Sequence, residues 1–427
     1  MPKTYHIDMP EAVRNIIHTI EEHGFKAYAV GGCIRDSILG RTPDDWDITT
    51  SAVPGQVKSF FRRTIDTGIA HGTVTVMIDK TGYEVTTYRI DGEYEDGRHP
   101  KSVEFSASLV DDLYRRDFTI NAMAYNDTDG FVDEFNGLGD LDAKIIRCVG
   151  KPELRFTEDA LRMMRAIRFS AQLGFTIDGP TWNAIKKLAP SISKISMERV
   201  HVELGKTLMS AHPDYVSEYS EAGLFAPILP VIDNALKSRY SRKILATLRH
   251  TPDNIYLRYA ALFITSAPDE AAKTLRALKM DNKTVDTVSK LVELSKIDID
   301  ETEPAVRTAL NKYGREFLPL WHELMMSVIQ ASEEITGIVN PAKVKHLLTL
   351  KRLVTDILER GDCFTIKDLD ISGNDLIEYG LQGHEIGETL KSLLDIVIEN
   401  PKLNDKATLI AMIEHILSLI HISEPTR

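Results

Sequence analysis

Asp45 and Asp47 flank Trp46 where the sequence predicts a β-strand over residues 45–50. Residues two apart on a strand project from one face, so both carboxylates can reach one divalent cation. Hard oxygen ligands suit Mg²⁺, which keeps waters and takes phosphate oxygens at its remaining positions. Glu84, on a neighbouring strand predicted over 83–90, can complete a three-carboxylate set. Such a set would activate a 3′-hydroxyl and neutralise the charge that develops during in-line attack on a phosphate. Asp-x-Asp alone is common on surface strands and turns, so its weight comes from its neighbours.

The nearest neighbour is Gly31-Gly32-Cys33-Ile34-Arg35-Asp36, between a strand and a helix. Glycines let backbone approach a ligand closely, and a helix start offers free N–H groups to phosphate. Arg35 can fork onto a pair of phosphate oxygens. Neither GxxxxGK[ST] nor GxGxxG spacing is present, and read alone a glycine pair is a tight turn. A second cluster runs from Arg115 to Ala124, with Arg115 and Arg116 beside Asp117 and with Asn121 four residues on. It can clamp a triphosphate or hold a ribose, or be an ion pair on a short surface helix.

The third cluster is Glu158-Asp159-Ala160-Leu161-Arg162, continued by Arg165 and Arg168. A single helix over 158–173 is expected, capped by Thr157 with Glu158 and Asp159 in its first turn. Asp159 and Arg162 would then be surface neighbours, an acceptor beside a donor. Cytosine and adenine each present an exocyclic amino donor next to a ring-nitrogen acceptor, and uracil and guanine the reverse. Such a pair can choose C and A without a nucleic-acid template. Arg165 and Arg168 can reach phosphates or hold Asp159 in place. The plainer alternative is a salt-bridged amphipathic helix.

These residues need elements to position them. Apolar Val13, Ile16, Ile17 and Ile20 predict a helix over 10–23 that Gly24 stops. A strand at 28–30 runs into Gly31-Gly32, a helix follows to Leu39, and strands are expected at 45–50, 73–78 and 83–90. The polar stretch 91–102 reads as a mobile loop. Beyond about residue 150 amphipathic helical stretches take over: 158–173, 196–209, 241–249, 257–265, 269–278, 283–295, 304–312, 317–331, 343–359 and 385–398. Residues 421–427 break the pattern and read as a disordered end or a cloning or sequencing scar.

The 427 residues imply two to four domains. With 43% hydrophobic and 27% charged residues, no apolar run near membrane-spanning length and no secretory signal, a soluble cytoplasmic protein with no membrane partner is expected. Cys33, Cys148 and Cys363 lie far apart without metal-ligand spacing and read as reduced thiols, Cys33 as a small apolar filler. A net charge of −12 argues against wholesale coating of nucleic acid. Local basic clusters remain at Lys237, Arg239, Arg242 and Lys243, and at Lys343, Lys345, His346, Lys351 and Arg352. Such clusters are commonly solvated helix faces.

Taken together the motifs resemble the tRNA nucleotidyltransferase and poly(A) polymerase family, in its bacterial and eukaryotic class. The carriers are VGGCIRDSILGRTPDDWDITTSA, HGTVTV, YEVTTYR, DGEYEDGRHPKSVEF, DDLYRRDFTINAMAYN, FVDEFNGLGDL and FTEDALRMMRAIRFSAQLGF, in one order over 28–175. ISMERVHVEL at 195–204 and ISGNDLIEYGLQGHEIGETL at 371–390 follow. The resemblance implies an α+β protein: a nucleotidyltransferase palm head with a small mixed sheet (1–148), then an all-helical neck (149–210), body (211–310) and tail (311–420). It implies metal at Asp45 and Asp47 with Glu84 as a further carboxylate, and Gly32, Arg35 and Arg116 on the nucleotide's phosphates and sugar, with Asp117 and Asn121 in the same binding set. It implies Asp159 and Arg162 as the protein template, supported by Arg165 and Arg168. Mg²⁺ as cofactor, CTP and ATP as substrates and tRNA along the helical parts follow from it.

Within the family, addition of C, C and A to tRNA is favoured over CC-only addition, A-only addition or poly(A) synthesis, because EYEDGRHP suits enzymes that finish with A. A catalytically dead RNA-binding protein and a metal-dependent phosphohydrolase are the competing classes. Intact carboxylates oppose the first. Scattered histidines without a His-Asp dipeptide oppose the second. The oligomeric state is not legible.

Overall fold

A computed structural model describes residues 6–91 and 103–413. The expected loop at 91–102, from residue 92 on, and the end at 421–427 lie outside the described residues. Contacts divide the chain into two compact units, one of residues 1–237 with 277–279 and the other of 238–276 and 280 onward. The first holds the expected head and neck and the start of the body.

A seven-stranded mixed sheet organises the first unit. Its strands are β1 (Ala27–Val30), β2 (Asp47–Thr50), β3 (Thr64–Gly68), β4 (Thr73–Ile78), β5 (Thr81–Thr87), β8 (Ala124–Asn126) and β9 (Gly130–Val132). They lie in the order β3-β4-β5-β2-β1-β8-β9. Only β2–β5 is a parallel pair within it. The short strands β6 (Arg89–Asp91) and β7 (Val103–Phe105) form a separate ribbon, and β10 (Ile145–Ile146) pairs with β11 (Thr176–Ile177). The central strand β1 is buried along its whole length. Helix α1 (Glu11–Glu22) packs on it and buries the four apolar positions that its spacing predicts, Val13, Ile16, Ile17 and Ile20.

Helices α2 (Gly32–Ile38), α3 (Pro54–Phe60), α4 (Leu109–Tyr114) and α5 (Gly137–Asp142) decorate the sheet. The single helix expected over 158–173 is two: α6 (Pro152–Glu158) and α7 (Leu161–Leu173), separated by Asp159 in an extended conformation. Thr157 therefore caps nothing; its hydroxyl donates to the Glu153 carbonyl inside α6. Helix α8 (Gly179–Leu188), which the periodicity does not predict, is capped by Asp178. α9 (Met197–Leu208), α10 (Val216–Glu221) and α11 (Pro230–Lys237) complete the unit.

The second unit is helical throughout: α12 (Ser241–His250), α13 (Ile255–Leu262), α14 (Pro268–Ala277), α15 (Asn282–Leu294), α16 (Glu303–Tyr313), α17 (Phe317–Thr336), α18 (Pro341–Arg360), α19 (Gly373–Glu378) and α20 (His384–Glu399). Its far end is knitted by Arg307, 1% exposed, which donates to the Ile398 carbonyl at 2.6 Å and to Asp362 at 2.9 Å. This cation sits at the carbonyl end of α20, where the helix dipole favours it. Arg307→Met strands those acceptors and should lower the stability of this unit by about 3 kcal/mol, read as an earlier unfolding transition in urea.

Candidate active site

The sheet register builds the site. Val30, the last residue of β1, pairs with Asp47, the first of β2, so the chain turns at Gly31-Gly32 directly beside that carboxylate. Because β1 ends there, β2 has no partner further back, and Asp45 and Trp46 approach the strand rather than belong to it, contrary to the expected strand start at 45. The alternation survives all the same: Trp46 is buried, while Asp45 and Asp47 are exposed. On the other side β5 runs parallel with Ile48 opposite Val85, which brings Glu84 level with Asp47 on the same face.

Surrounding protein pushes the Asp47 carboxyl up from 3.8 to about 6; Arg116 lowers it, and the negative charges of Asp45 and Glu84 raise it. Among the described residues no three His, Cys, Asp or Glu side chains close on a point as a ready metal cage. The donor set nevertheless fits Mg²⁺: two solvent-facing hard carboxylates with mutual repulsion that a cation relieves, leaving positions for water and phosphate. The neighbouring thiol of Cys33 is buried, its acidity suppressed to about 12, and takes no part.

Across the turn stand the arginines expected on the phosphates. Arg116 donates to Asp112 at 3.1 Å and Arg115 to the same carboxylate at 2.6 Å. Asp112 is wholly buried and also accepts from Thr49 at 3.1 Å, so the ion pair is internal rather than on the surface. Among the described residues Arg116 Nε, which is buried, has no hydrogen-bond partner. Gly31 has φ +86° and ψ −129°, and a Cβ on it would meet Arg116 Nη1 at 3.1 Å. The residue that demands glycine is thus Gly31; a Cβ on Gly32 would meet only Arg35 Nη2, at 3.7 Å. Arg35 is gripped by Asp36 (2.8 and 2.9 Å) and by Asn121 Oδ1 (2.6 Å).

Asn121 passes the chain of contacts to Asp117 at 3.1 Å, and Arg165 of α7 closes on Asp117 at 2.6 Å. Burial alone would raise the Asp117 carboxyl; Arg165 and the Asn121 amide instead hold it well below the usual carboxylate range. Arg168 turns away to Glu203 of α9 at 2.5 Å. The guanidiniums of Arg168, Arg35 and Arg165 lie 3.8, 5.0 and 5.3 Å from the Phe169 ring centre. Asp117, Asn121 and Arg168 are therefore buried joints between sheet and helices.

Asp159 and Arg162 are near neighbours, but each has its own partner. Asp159 accepts the Leu161 amide at 3.0 Å and is held by Arg199 of α9 at 2.7 and 3.2 Å. Arg162 pairs with Glu158 and donates to the Arg115 carbonyl at 3.0 Å. The side chain hydrogen-bonded to Asp159 is thus Arg199, while Arg165 and Arg168 bond to Asp117 and Glu203. Arg199 falls within the ISMERVHVEL motif, but nothing in sequence spacing links it to a residue forty positions away.

Two outcomes follow from this geometry. Gly31→Ala forces a side chain into a glycine-only conformation and onto Arg116, and should cost about 1–3 kcal/mol in thermal unfolding, whereas Gly32→Ala should be near neutral. Because Asp47 is more easily protonated folded than unfolded, its ionised form opposes folding as pH rises from about 4 to 6. Asp47→Asn should therefore raise Tm fully above pH 6 and not at all below pH 4, while Mg²⁺ stabilises only the parent protein.

Comparison with known proteins matches this architecture. Residues 27–147 fit the profile of the poly A polymerase head domain, 174–236 that described as "Probable RNA and SrmB- binding site of polymerase A", and 254–413 that of tRNA nucleotidyltransferase domain 2. The CCA-adding enzyme of Leuconostoc mesenteroides is 37% identical, over 91% of this chain and 92% of that one. That of Limosilactobacillus fermentum is 37% identical, over 94% and 95%. Among solved structures, the Bacillus stearothermophilus CCA-adding enzyme in complex with CTP superposes with a TM-score of 0.75 at 32% identity, over 96% of this chain and 98% of that one. The Thermotoga maritima CCA-adding enzyme complexed with tRNA shares the fold at 20% identity and a TM-score of 0.58, over 95% of each chain. The chain belongs to the family of CCA-adding enzymes, tRNA nucleotidyltransferases with a poly(A) polymerase head.

Proposed function

We propose that this chain adds C, C and A from CTP and ATP to the 3′ end of tRNA, with Asp159 and Arg162 reading each incoming base in place of a template. The observation that carries the reading is their separate anchoring: Arg199 orients Asp159 and Glu158 orients Arg162, so neither is consumed by the other. An acceptor and a donor held side by side match the amino and ring-nitrogen edge shared by cytosine and adenine, and oppose uracil and guanine. The relatives' CCA-adding activity and the CTP held by the Bacillus neighbour support it.

In this reading Asp45 and Asp47 hold Mg²⁺, which when bound activates the tRNA 3′-hydroxyl and offsets the phosphate charge. Glu84 keeps the local field negative so that the cation is retained. Arg116, with its orphan Nε–H, and Arg35 bind the triphosphate where Gly31 and Gly32 leave the backbone open. Asp117, Asn121, Arg165 and Arg168 act by positioning these groups. The head (1–148) performs the transfer, the neck (149–210) selects, and the helical segments 211–310 and 311–420 carry tRNA. No helix among the described residues is long and apolar enough to cross a membrane, and the three cysteines are buried and unpaired, which suits the reducing cytoplasm.

The test is to incubate the protein with Mg²⁺, CTP, ATP and a tRNA ending at its discriminator base, then sequence the 3′ ends. Products should end at CCA. A stop at CC or a tract of A would assign the CC-adding or poly(A)-forming alternative; no extension would leave an A-adding or non-catalytic protein, which a tRNA already ending in CC separates. Asp159→Ala should admit U and G at these positions, with unchanged selection refuting the base-reading role. Asp45→Ala should reduce transfer at least about a thousandfold while tRNA binding persists.

A further inference from the structure

The basic clusters around Lys243 and Lys343 are far apart in sequence, yet the second unit brings a lysine of each to the rim of one cavity. Helices α12, α17 and α18 and the turn after α15 enclose about 790 Å³, a volume typical of small-molecule sites. The wall is apolar: Trp321, Met325, Val328, Ile329 and Leu347. At the lip Ile338 is 71% exposed, and Val339 beside it is also bare to solvent. Lys243, Lys296 and Lys343 stand around the opening. Among the described residues neither Lys243 nor Lys343 is paired with a carboxylate. The rim carboxylate Asp298 lies against the His346 ring at 3.4 Å, and His346 also meets Glu301 at 2.9 Å.

Lysines around an apolar hollow constrain the ligand from two sides. Three ammonium groups call for an anion. Three lysines line the cavity against one carboxylate, Asp298, so its lining is positive in excess, although the Lys296 ammonium also donates to the Ser266 carbonyl. RNA would satisfy the charge but not the hollow. Sequence-tolerant base binding uses exposed aromatic faces, whereas Trp321 is 4% exposed with its indole N–H given to the Leu294 carbonyl at 3.1 Å. Branched aliphatics and an adaptable methionine suit a flexible hydrocarbon instead.

We propose that this cavity binds an amphipathic anion, with a carboxylate or phosphate head between Lys243, Lys296 and Lys343 and an aliphatic chain along Trp321, Met325 and Ile338. The chain buries the exposed lip and braces α17 against α18.

The test uses the full-length protein and dodecanoate, dodecyl phosphate and dodecanol below their micellar concentrations, followed by calorimetry. Both anions should bind at least about tenfold more tightly than the alcohol. Lys243→Glu combined with Lys343→Glu, both on the exposed rim, should weaken anion binding about tenfold and leave the unfolding midpoint unchanged. Quenching of tryptophan fluorescence by ω-bromododecanoate should disappear in Trp321→Phe. Equal affinity for the alcohol, indifference to the lysine changes, quenching that survives Trp321→Phe, or lysine changes that weaken tRNA binding while dodecanoate never binds would each overturn the proposal.

Discussion

Asp117 lies inside the first unit, and the rest of the site hangs on how its charge is met. An isolated buried carboxylate would take up a proton rather than remain ionised. Here Arg165 reaches across from α7, and the Asn121 amide and the Phe118 backbone N–H add donors. Leaving the pair would expose an uncompensated buried charge, so α7 is fixed against the sheet. From that joint the contacts run outward: Asn121 to Arg35 at the glycine turn, and Arg165 with Arg168 through Phe169 and Glu203 to α9. α9 in turn supplies Arg199 to Asp159. Asp159 and the glycine turn beside Asp47 are thus related through a chain of polar and cation–π contacts.

Two carboxylates in this framework are treated in opposite ways. Asp117 is fully compensated by protein, and its proton affinity is depressed. Asp47 loses water to the surrounding protein, which raises its affinity; Arg116 opposes that, and the charges of Asp45 and Glu84 add to it. The first arrangement stabilises the fold; the second leaves a carboxylate whose ionised form the protein does not compensate. A similar contrast holds among the arginines: Arg168 is enclosed against Glu203, whereas Arg116 keeps a buried Nε–H with no partner among the described residues.

Much of this was legible in the residues. The spacing of Val13, Ile16, Ile17 and Ile20 determined both a helix and its buried face, and Asp45 and Asp47 do share an exposed side around buried Trp46. The long helices of the second unit follow their apolar periodicity closely, since each buries a stripe against its neighbours. What could not be read was decided by contacts distant in sequence. Glu158, Ala160, Leu161 and Arg162 are good helix formers, and the break falls at Asp159, held by Arg199 forty residues on and accepting the Leu161 amide. The start of β2 at Asp47 depends on where β1 turns away. Arg115 and Arg116 read as a surface pair because sequence does not reveal that Asp112, one helical turn earlier, is buried.

The most direct measurement is a double-mutant cycle of Asp117→Asn and Arg165→Met, followed in parallel by urea unfolding and by sequencing of extended tRNA ends. Each single change should cost about 3 kcal/mol and relax the choice of C and A, and the double change should be no worse than the poorer single, because either alone dissolves the joint. Additive losses, or single variants that lose stability yet select C and A as before, would contradict the claim that this buried pair sets the geometry of base selection.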